Sequence, residues 1–201
     1  MVMGPQMRTR GEWRVRGGMR RAYLLLVAGA CLAGSTTNAL AEKPSRDDVQ
    51  AAYLYNFGKF VRWPESRGLG PMLVCVAGQD PFGQTISKLV DGEQIDGRHL
   101  EERNLDRPEG VGACSILFVG ATAHGQEAGF LAAAEGKPIL TVSDSPDFLT
   151  HGGMIQFVQV EDHVRFSVNL DACSRHSVAL SSELLKVAVA VTGKSGTGGT
   201  K

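Results

Sequence analysis

Three short runs of apolar residues constrain the fold of this chain more than any other feature of its sequence. The runs are MLVCVAG from Met72, CSILFVG from Cys114 and PILTVSD from Pro138. A strand that is apolar at successive positions has both faces buried, as in parallel sheets that are covered by helices on both sides. The segments between the runs have helical patterns, so the chain alternates between strand and helix. We predict an α/β three-layer sandwich of the Rossmann-like or flavodoxin-like kind, with a mostly parallel sheet.

Segments at both ends are predicted to complete this domain. SRDDVQAAYLYNFGKF starts with the helix-capping residue Ser45 and has apolar residues at three- and four-residue spacing, and Pro64 stops the helix. MIQFVQVEDHVRFSVNL alternates around residues 161–163, which predicts an antiparallel hairpin at one edge of the sheet. SSELLKVAVAV is predicted as a last helix, capped by one of its two serines.

Residues 1–41 predict a secretory signal peptide. Two arginines precede an apolar run over residues 22–32, and a stretch of small residues ends in A-L-A at residues 39–41. The apolar run is too short for a permanent membrane-spanning helix, and an uncleaved anchor is the less favoured alternative. The order of these regions makes Met19 the expected true start, with an over-extended N-terminus before it.

Cleavage after Ala41 predicts a mature periplasmic protein. It would have a single domain over residues 42–192 and a disordered tail over residues 193–201, and it would not insert directly into the membrane. Lipidation of Cys31 is the alternative, since small residues precede this cysteine. The leucine expected three residues before such a cysteine is missing, so we favour cleavage after Ala41.

The charge distribution argues against a nucleic-acid partner. The chain has 21 basic and 21 acidic residues. Six arginines and one glutamate lie in residues 1–41, which leaves 15 basic and 20 acidic residues in the mature part, a net charge of −5. Nucleic-acid binding depends on a basic footprint, so we predict no nucleic acid among the partners.

The stretch VCVAGQDPFGQT nearly matches the phosphate-binding loop G-x-x-x-x-G-K-[ST]. Gln84 stands where that loop has its lysine, Pro81 removes a backbone N–H, and Asp80 adds negative charge. We therefore favour a structural interpretation over anion binding. Gly78 would turn the chain, Asp80 would cap the next helix and Pro81 would take its first position. Phe82 would then pack under the sheet.

Three cysteines remain after the predicted signal peptide. Cys75 lies within the first apolar strand, and Cys114 begins a later one. If these strands are neighbours, a disulfide is geometrically feasible, and an oxidising compartment favours it over two buried thiols. Cys173 is then left over, either as a free thiol or in an intermolecular bridge.

The polar residues form no recognisable catalytic or metal-binding motif. The five histidines lack zinc-site spacing, and we expect them to be scattered over the surface. Asp144 and Asp147 follow a strand, where α/β proteins bind ligands, but capping of the next turn is the favoured interpretation. We therefore predict no enzyme activity, no metal and no cofactor. A hydrolase that uses Asp80, Asp144 and Asp147 is a competing hypothesis.

Several residues are candidates for a surface that contacts a ligand or partner. Arg62 and Trp63 end the first helix, and for Trp63 we favour packing in the core over an exposed anchor. Arg165 alternates with apolar neighbours in the hairpin, so it points to the opposite face of its strand. The full candidate set is Arg62, Trp63, Asp80, Phe82, Asp144 and Arg165.

Four stretches, in this order, resemble the YfiR/HmsC-like family of small secreted bacterial proteins. They are AAYLYNFGKFVRWPE, VCVAGQDPFG, CSILFVG through PILTVSD, and GGMIQFVQVEDHVRFSVNLDA followed by LSSELLKVA. The resemblance covers residues 49–190, and the G-x-D-P-F-G turn and the GG…VRF.VNL block are its most specific parts.

The resemblance implies a non-enzymatic periplasmic α/β protein, often a homodimer. Characterised relatives bind the periplasmic sensor domain of an inner-membrane diguanylate cyclase and hold it inactive, which limits cyclic di-GMP and biofilm matrix. Cys75 and Cys114 match a disulfide pair of relatives, whereas Cys173 stands alone where some relatives have a second pair. We therefore expect a periplasmic repressor of such a cyclase. A periplasmic small-ligand-binding or receptor-accessory protein is the alternative.

Overall fold

Ten strands and five α-helices form the described part of the chain, which is residues 43–64, 68 and 70–194 of a computed structural model. The strands are β1 (Val61–Arg62), β2 (Met72–Ala77), β3 (Gln94–Ile95), β4 (Arg98–Leu105), β5 (Ile116–Val119), β6 (Leu140–Ser143), β7 (Ile155–Val160), β8 (His163–Asn169), β9 (Ala179–Leu180) and β10 (Ala190–Thr192). The helices are α1 (Arg46–Phe60), α2 (Thr85–Val90), α3 (Glu127–Ala134), α4 (Leu170–Arg175) and α5 (Ser182–Val187), with 3-10 helices at Pro108–Ala113 and Ala121–Gln126.

Eight of these strands form one mixed sheet in the order β10-β8-β7-β6-β5-β2-β4-β3. The five strands from β7 to β4 in this order run parallel to one another. The strands β8 and β3 add antiparallel pairs to this parallel centre. The mixed α/β class with a mainly parallel central sheet is therefore confirmed, while the flavodoxin-like form of the sandwich stays a prediction.

The hairpin of β7 and β8 does not lie at the edge of the sheet, contrary to the prediction. β10 adds a further strand outside β8 and runs parallel to it. The last helix is correspondingly shorter than predicted, because it ends at Val187 and Ala188 has an extended backbone. The N–H of Val189 then donates to the carbonyl of Phe166 (2.8 Å). Valines favour extended backbone, so the chain joins the sheet as β10 after Val187 instead of prolonging the helix.

The first helix begins after Ser45, as the sequence predicts, and the structure shows a reciprocal capping box there. The N–H of Asp48 donates to Oγ of Ser45 (3.1 Å), and the N–H of Ser45 donates to Oδ2 of Asp48 (3.1 Å). Bonds from the Ser45 hydroxyl and backbone hold the pKa of Asp48 below its ordinary value. The helix ends at Phe60, where β1 leaves to pair antiparallel with β9.

Apolar clusters lie on both faces of the sheet. The even-numbered residues of β2 belong to one cluster together with Leu54 and Phe57 of α1. The odd-numbered residues belong to a second cluster together with Phe130 of α3 and Val111 of the first 3-10 helix. We call these sides the α1 face and the disulfide face, since the second contains both cysteines of the predicted pair. Helical cover on both faces explains why the central strands are apolar throughout.

Several sequence predictions fall at the ends of the chain. The predicted signal peptide over residues 1–41 lies outside the described residues, as does the tail from residue 195 onward. Gly193 and Lys194 are described, and the N–H of Lys194 donates to Oδ1 of Asp171 (3.1 Å). No helix in the described ranges has the length and hydropathy of a membrane span.

Replacing Gly153 by alanine tests the packing of the loop before β7. A Cβ at this position would lie 2.1 Å from Cε1 of Phe148, whose ring is fully buried. A packed core cannot take up such an overlap without strain, so we expect Gly153→Ala to lower the free energy of unfolding by about 1–3 kcal/mol. Urea denaturation measures the loss. Gly125→Ala is the control, since a Cβ there has no neighbour within 4 Å. Equal stability of the two variants would contradict this packing.

Candidate functional site

The predicted site at the carboxyl ends of the strands is occupied by contacts within the chain. Oδ1 of Asp80 accepts a hydrogen bond from the N–H of Phe82 (2.8 Å). Asp144 accepts bonds from the N–H of Ala121 (3.0 Å) and from Nη2 of Arg46 (3.4 Å). Asp144 thus joins the end of β6 to the segment after β5, because the two strands are neighbours and end at the same edge. Arg46 ties the start of α1 to this edge.

The glycine loop after β2 has a structural explanation. Gly78 has a φ of +82°, a backbone conformation that residues other than glycine rarely adopt. A Cβ there would also lie 2.8 Å from the Cβ of Ala123. The N–H of Gly78 donates to the carbonyl of Leu105 (3.0 Å), which ties the loop to the end of β4. These contacts account for the glycine without a bound anion.

The helix after this loop begins later than predicted. Asp80 and Pro81 do not start it, because α2 spans Thr85–Val90. Asp80 instead closes a turn on Phe82 and directs that ring into the α1 face, where it packs edge to face with Phe118 at 4.9 Å between centroids. Phe82 is only 4% exposed, so it packs under the sheet and does not contribute to a surface.

The remaining candidates lie at different ends of the sheet. The helix α1 starts beside Asp144 at the carboxyl ends of the strands. Near its other end, Gly58 lies against Met72, the first residue of β2. Arg62 and Trp63 follow this end of the helix, and they are therefore far from the two aspartates. The six candidate residues do not form one continuous surface.

Trp63 is half-buried and packs against the cluster on the α1 face, which agrees with the favoured interpretation. Its Nε1–H is buried and has no hydrogen-bond partner among the described residues. Arg62 is exposed. The pKa of Glu183 is lowered chiefly by hydrogen bonds from its own N–H and from Ser181, and the charge of Arg62 adds to this effect.

Arg165 lines a groove between the start of α1 and the β7–β8 hairpin, which we call the hairpin groove. Its volume is about 470 Å³. Arg165 is exposed, as its alternation with Val164 and Phe166 predicts, and its Nη2 donates to the carbonyl of Val187 (3.3 Å). The hydroxyl of Tyr53 donates to the carbonyl of Val164 (3.5 Å) and joins α1 to the hairpin. Lining residues include Lys43, Arg46, Tyr53, Gln159, His163 and Arg165.

The hairpin groove carries more positive than negative charge. Lys43, Arg46 and Arg165 face one carboxylate, Asp162, among the lining residues of the described chain. Such a rim is complementary to carboxylates on a binding partner. The sequence indicated only Arg165 of this group. Tyr53 and Val164 are 111 residues apart in the chain, and no local pattern reports that they meet.

The predicted disulfide between Cys75 and Cys114 is present. The two Cα atoms are 5.8 Å apart, and both side chains are fully buried on the disulfide face. β2 and β5 are parallel neighbours, and the N–H of Ser115 donates to the carbonyl of Leu73 (2.8 Å), which brings Cys114 beside Cys75. The bond joins the centre of the sheet to the 3-10 helix that precedes β5.

Cys173 is a free, buried cysteine in α4. Its side chain is 2% exposed, and burial raises the pKa of its thiol to about 12. The thiolate is the reactive form of cysteine, so this thiol is protected from disulfide exchange. Of the two alternatives that the sequence left open, the structure favours the free thiol over an intermolecular bridge.

Two histidines lie next to carboxylates. Nδ1 of His151 is 2.8 Å from Oε1 of Glu127, and Nε2 of His176 is 3.4 Å from Oε2 of Glu135. The prediction of surface positions is wrong for His176, which is 4% exposed and whose Nδ1 lies 3.2 Å from the carbonyl oxygen of Lys137. In the described part of the chain, no three histidine, cysteine or acidic side chains are grouped so that they could hold a metal ion.

A sequence model of the YfiR/HmsC-like family matches residues 47–189. The chain belongs to the YfiR/HmsC-like family. The matched region contains the disulfide, Cys173 and most of the hairpin groove.

A crystal structure of a conserved domain protein from Vibrio cholerae is similar to part of the chain. The two sequences are 10% identical, and the similarity covers 74% of this chain and 60% of that one, with a TM-score of 0.47. This chain therefore spans about 60% of the length of that protein.

Removal of the disulfide should lower stability by a large amount. Its cysteines are separated by 39 residues, and loop closure of this length corresponds to about 4 kcal/mol of unfolding free energy. We expect Cys75→Ala combined with Cys114→Ala to lose about that much in urea denaturation under oxidising conditions. Cys173→Ala is the control and should lose less than about 2 kcal/mol. A double variant as stable as the original protein would show that the bond does not stabilise the fold.

The burial of Cys173 predicts slow reaction with thiol reagents. In the native oxidised protein at pH 8, we expect Cys173 to be alkylated at least about 100-fold more slowly than after unfolding. Little of the thiol is ionised at this pH, and burial keeps the reagent from the sulfur. Peptide mapping by mass spectrometry locates the label. Equal rates in the native and unfolded protein would mean that the thiol is accessible.

Proposed function

We propose that this protein is a periplasmic negative regulator, which binds the periplasmic sensor domain of an inner-membrane diguanylate cyclase and holds that enzyme inactive. Its membership of the YfiR/HmsC-like family over residues 47–189 is the observation that supports this function most directly. In this proposal, residues 1–41 direct export and residues 42–192 form the regulatory domain. Cyclic di-GMP and biofilm matrix then fall when the protein is present.

Inhibition would work by docking and not by chemistry. A regulator that binds the inactive conformation of its partner more tightly than the active one shifts the population toward the inactive form. A shift from one part inactive in a hundred to ninety-nine parts in a hundred needs about a 10⁴-fold difference in affinity. The regulator needs a complementary surface for this, and no reactive side chain.

The hairpin groove is the surface that we propose for this docking. Arg165 is exposed on β8, and its hydrogen bond to the carbonyl of Val187 holds the guanidinium in place. Lys43 adds positive charge on the facing side, where Arg46 is paired with Asp144. Carboxylates of the partner would bind here, with a gain in association rate from the opposite charges. Val160, which is 42% exposed at the end of β7, supplies apolar surface nearby.

The disulfide would set how much competent regulator is present. Cys75 and Cys114 are fully buried, so a reductant reaches the bond only when the fold opens locally. Loss of the bond weakens the attachment between β2 and the segment before β5. Redox stress would in this way lower the folded population and relieve inhibition.

Deletion of the gene tests this function in the cell. We expect higher cyclic di-GMP and more biofilm matrix in the deletion strain, because the cyclase is released from inhibition. Extraction and mass spectrometry quantify cyclic di-GMP, and complementation with the original gene should restore the lower level. Unchanged cyclic di-GMP and matrix would count against a role in repression.

Charge reversal at Arg165 tests the docking surface. We expect Arg165→Glu to fail to complement the deletion and to bind the purified periplasmic domain of the cyclase at least about 10-fold more weakly, since attraction becomes repulsion. Arg107→Glu is the matched control, because Arg107 is also exposed and lies outside the groove. Thermal unfolding should show both variants folded. Full complementation by Arg165→Glu would place the docking surface elsewhere.

A further inference from the structure

A basic cavity of about 530 Å³ lies at the amino ends of the central strands, beside the disulfide. Its walls come from Leu73 of β2, Arg103 of β4, residues 112–113 before β5 and Lys137 before β6. It shares no lining residue with the hairpin groove. The cavity is therefore a separate candidate site, to which the proposed regulation of the cyclase assigns no role.

The cavity concentrates positive charge in a protein whose predicted mature part is acidic. Three of its nine lining residues are cations, Arg98, Arg103 and Lys137, and none of these described lining residues is a carboxylate. The net charge of the chain after residue 41 is −5. A concave surface with one sign of charge focuses its field and raises the local concentration of ligands of opposite sign. The charge indicates an anionic ligand.

The three cations carry N–H groups of the kind that binds oxygen atoms of a phosphate group. Nε and Nη2 of Arg98 donate to the carbonyls of Gly70 (2.7 Å) and Pro71 (3.0 Å), which fixes the guanidinium at the cavity. These bonds use two of the five N–H groups of an arginine side chain. Arg103 is exposed, and Lys137 is anchored through a bond from Nζ to the carbonyl of Ala133. Arginine side chains bind phosphate oxygens in a bidentate manner, and lysine adds a point charge.

The disulfide holds two walls of this cavity together. Cys75 is the register partner of Arg103 across the β2–β4 pair. Cys114 directly follows residues 112–113, which line the opposite side. Reduction of the bond would uncouple these walls. A ligand that contacts both of them would bind the oxidised form more tightly.

We propose that this cavity binds a small organic phosphate and that binding stabilises the oxidised form of the Cys75–Cys114 pair. The volume fits a small-molecule ligand, whose sites measure about 300–1,000 Å³, and exceeds what inorganic phosphate needs. Leu73, Pro71 and Pro138 offer apolar surface to the organic part. By linkage, the ligand raises the stability of the disulfide by the same factor by which the disulfide raises affinity for the ligand.

Titration with glycerol 3-phosphate at low ionic strength tests the site, on oxidised protein that is expressed from the full-length gene and purified after export. Calorimetry should give saturable binding with a Kd below about 1 mM, and amide signals of Gly112 and Ala113 should shift in NMR spectra. Glycerol should not bind, and inorganic phosphate should bind more weakly. No saturation up to about 10 mM, or equal affinity for inorganic phosphate, would overturn the proposal.

Paired variants separate this site from general attraction to positive charge. Arg103→Gln with Lys137→Gln should weaken binding of glycerol 3-phosphate at least about 10-fold, because both cations line the cavity. Arg107→Gln with Lys88→Gln removes the same charge from exposed positions outside it and should change affinity less than about 2-fold. Equal losses in the two pairs would mean unspecific binding. Sedimentation with phosphatidylglycerol vesicles tests whether the ligand is a lipid headgroup or a free organic phosphate. Binding to vesicles that glycerol 3-phosphate does not displace would also overturn the proposal.

A redox titration tests the coupling to the disulfide. A dithiol reductant is oxidised to its own disulfide while Cys75 and Cys114 accept two electrons and two protons and become thiols. Saturating glycerol 3-phosphate should make the reduction potential of the pair more negative, by about 30 mV for each ten-fold difference in affinity between the two forms. Cys75→Ala with Cys114→Ala, shown to be folded by circular dichroism, should bind more weakly by the same factor. An unchanged potential would remove the coupling from the proposal.

Discussion

Strand β2 lies between β4 and β5 in the interior of the sheet and is buried at all six of its positions. Water cannot reach its peptide groups, so the backbone must form hydrogen bonds to strands on both sides. Its side chains are apolar, so both faces of the strand must be covered. β4 and β5 provide the pairing, and both run parallel to it. Parallel pairing needs crossover connections, and these bring α2 and α3 to the sheet. The same arrangement places Cys75 next to the segment that contains Cys114.

The two ends of the parallel strands differ in the space they leave for a ligand. In open α/β sheets, ligands are usually bound at the carboxyl ends of the strands. Here α1 precedes the sheet, and its first turn lies across that end. Arg46 binds Asp144, and Asp48 accepts a bond from the hydroxyl of Thr85 (3.1 Å). At the carboxyl ends, donors and acceptors of the side chains are therefore used in bonds to each other. A basic cavity lies at the amino ends instead.

Local signals in the sequence predicted the parts of this structure that are decided locally. The uniform apolar character of the three central strands indicated that both of their faces are buried, and Ser45 with Asp48 indicated the start of α1. The sequence left the pairing of β2 with β5 as a condition for the disulfide, and the structure meets that condition. Burial of a strand and the start of a helix are features in which a residue and its near neighbours determine the outcome.

Predictions failed where a distant contact outweighs a local preference. The last helix ends early because β8 offers Val189 a backbone partner, and no pattern within SSELLKVAVAV reports this partner. His176 is buried, and its Nδ1 lies within hydrogen-bond distance of the carbonyl of Lys137, 39 residues away. The hairpin groove and the basic cavity likewise combine segments that are far apart in sequence. Charge in the sequence shows how many cations exist and not which of them converge.

The effect of the disulfide on regulation depends on the stability that remains without it. Small domains are stable by about 5–15 kcal/mol, and this bond is worth about 4 kcal/mol by loop closure. Near the lower limit, reduction leaves about 1 kcal/mol, so a sizeable fraction of the regulator unfolds and inhibition falls. Near the upper limit, almost all of it stays folded and reduction alone changes little. A ligand at 100 times its Kd adds about 2.7 kcal/mol to the folded state. An organic phosphate in the basic cavity could therefore decide whether the same redox change releases the regulator or leaves it folded.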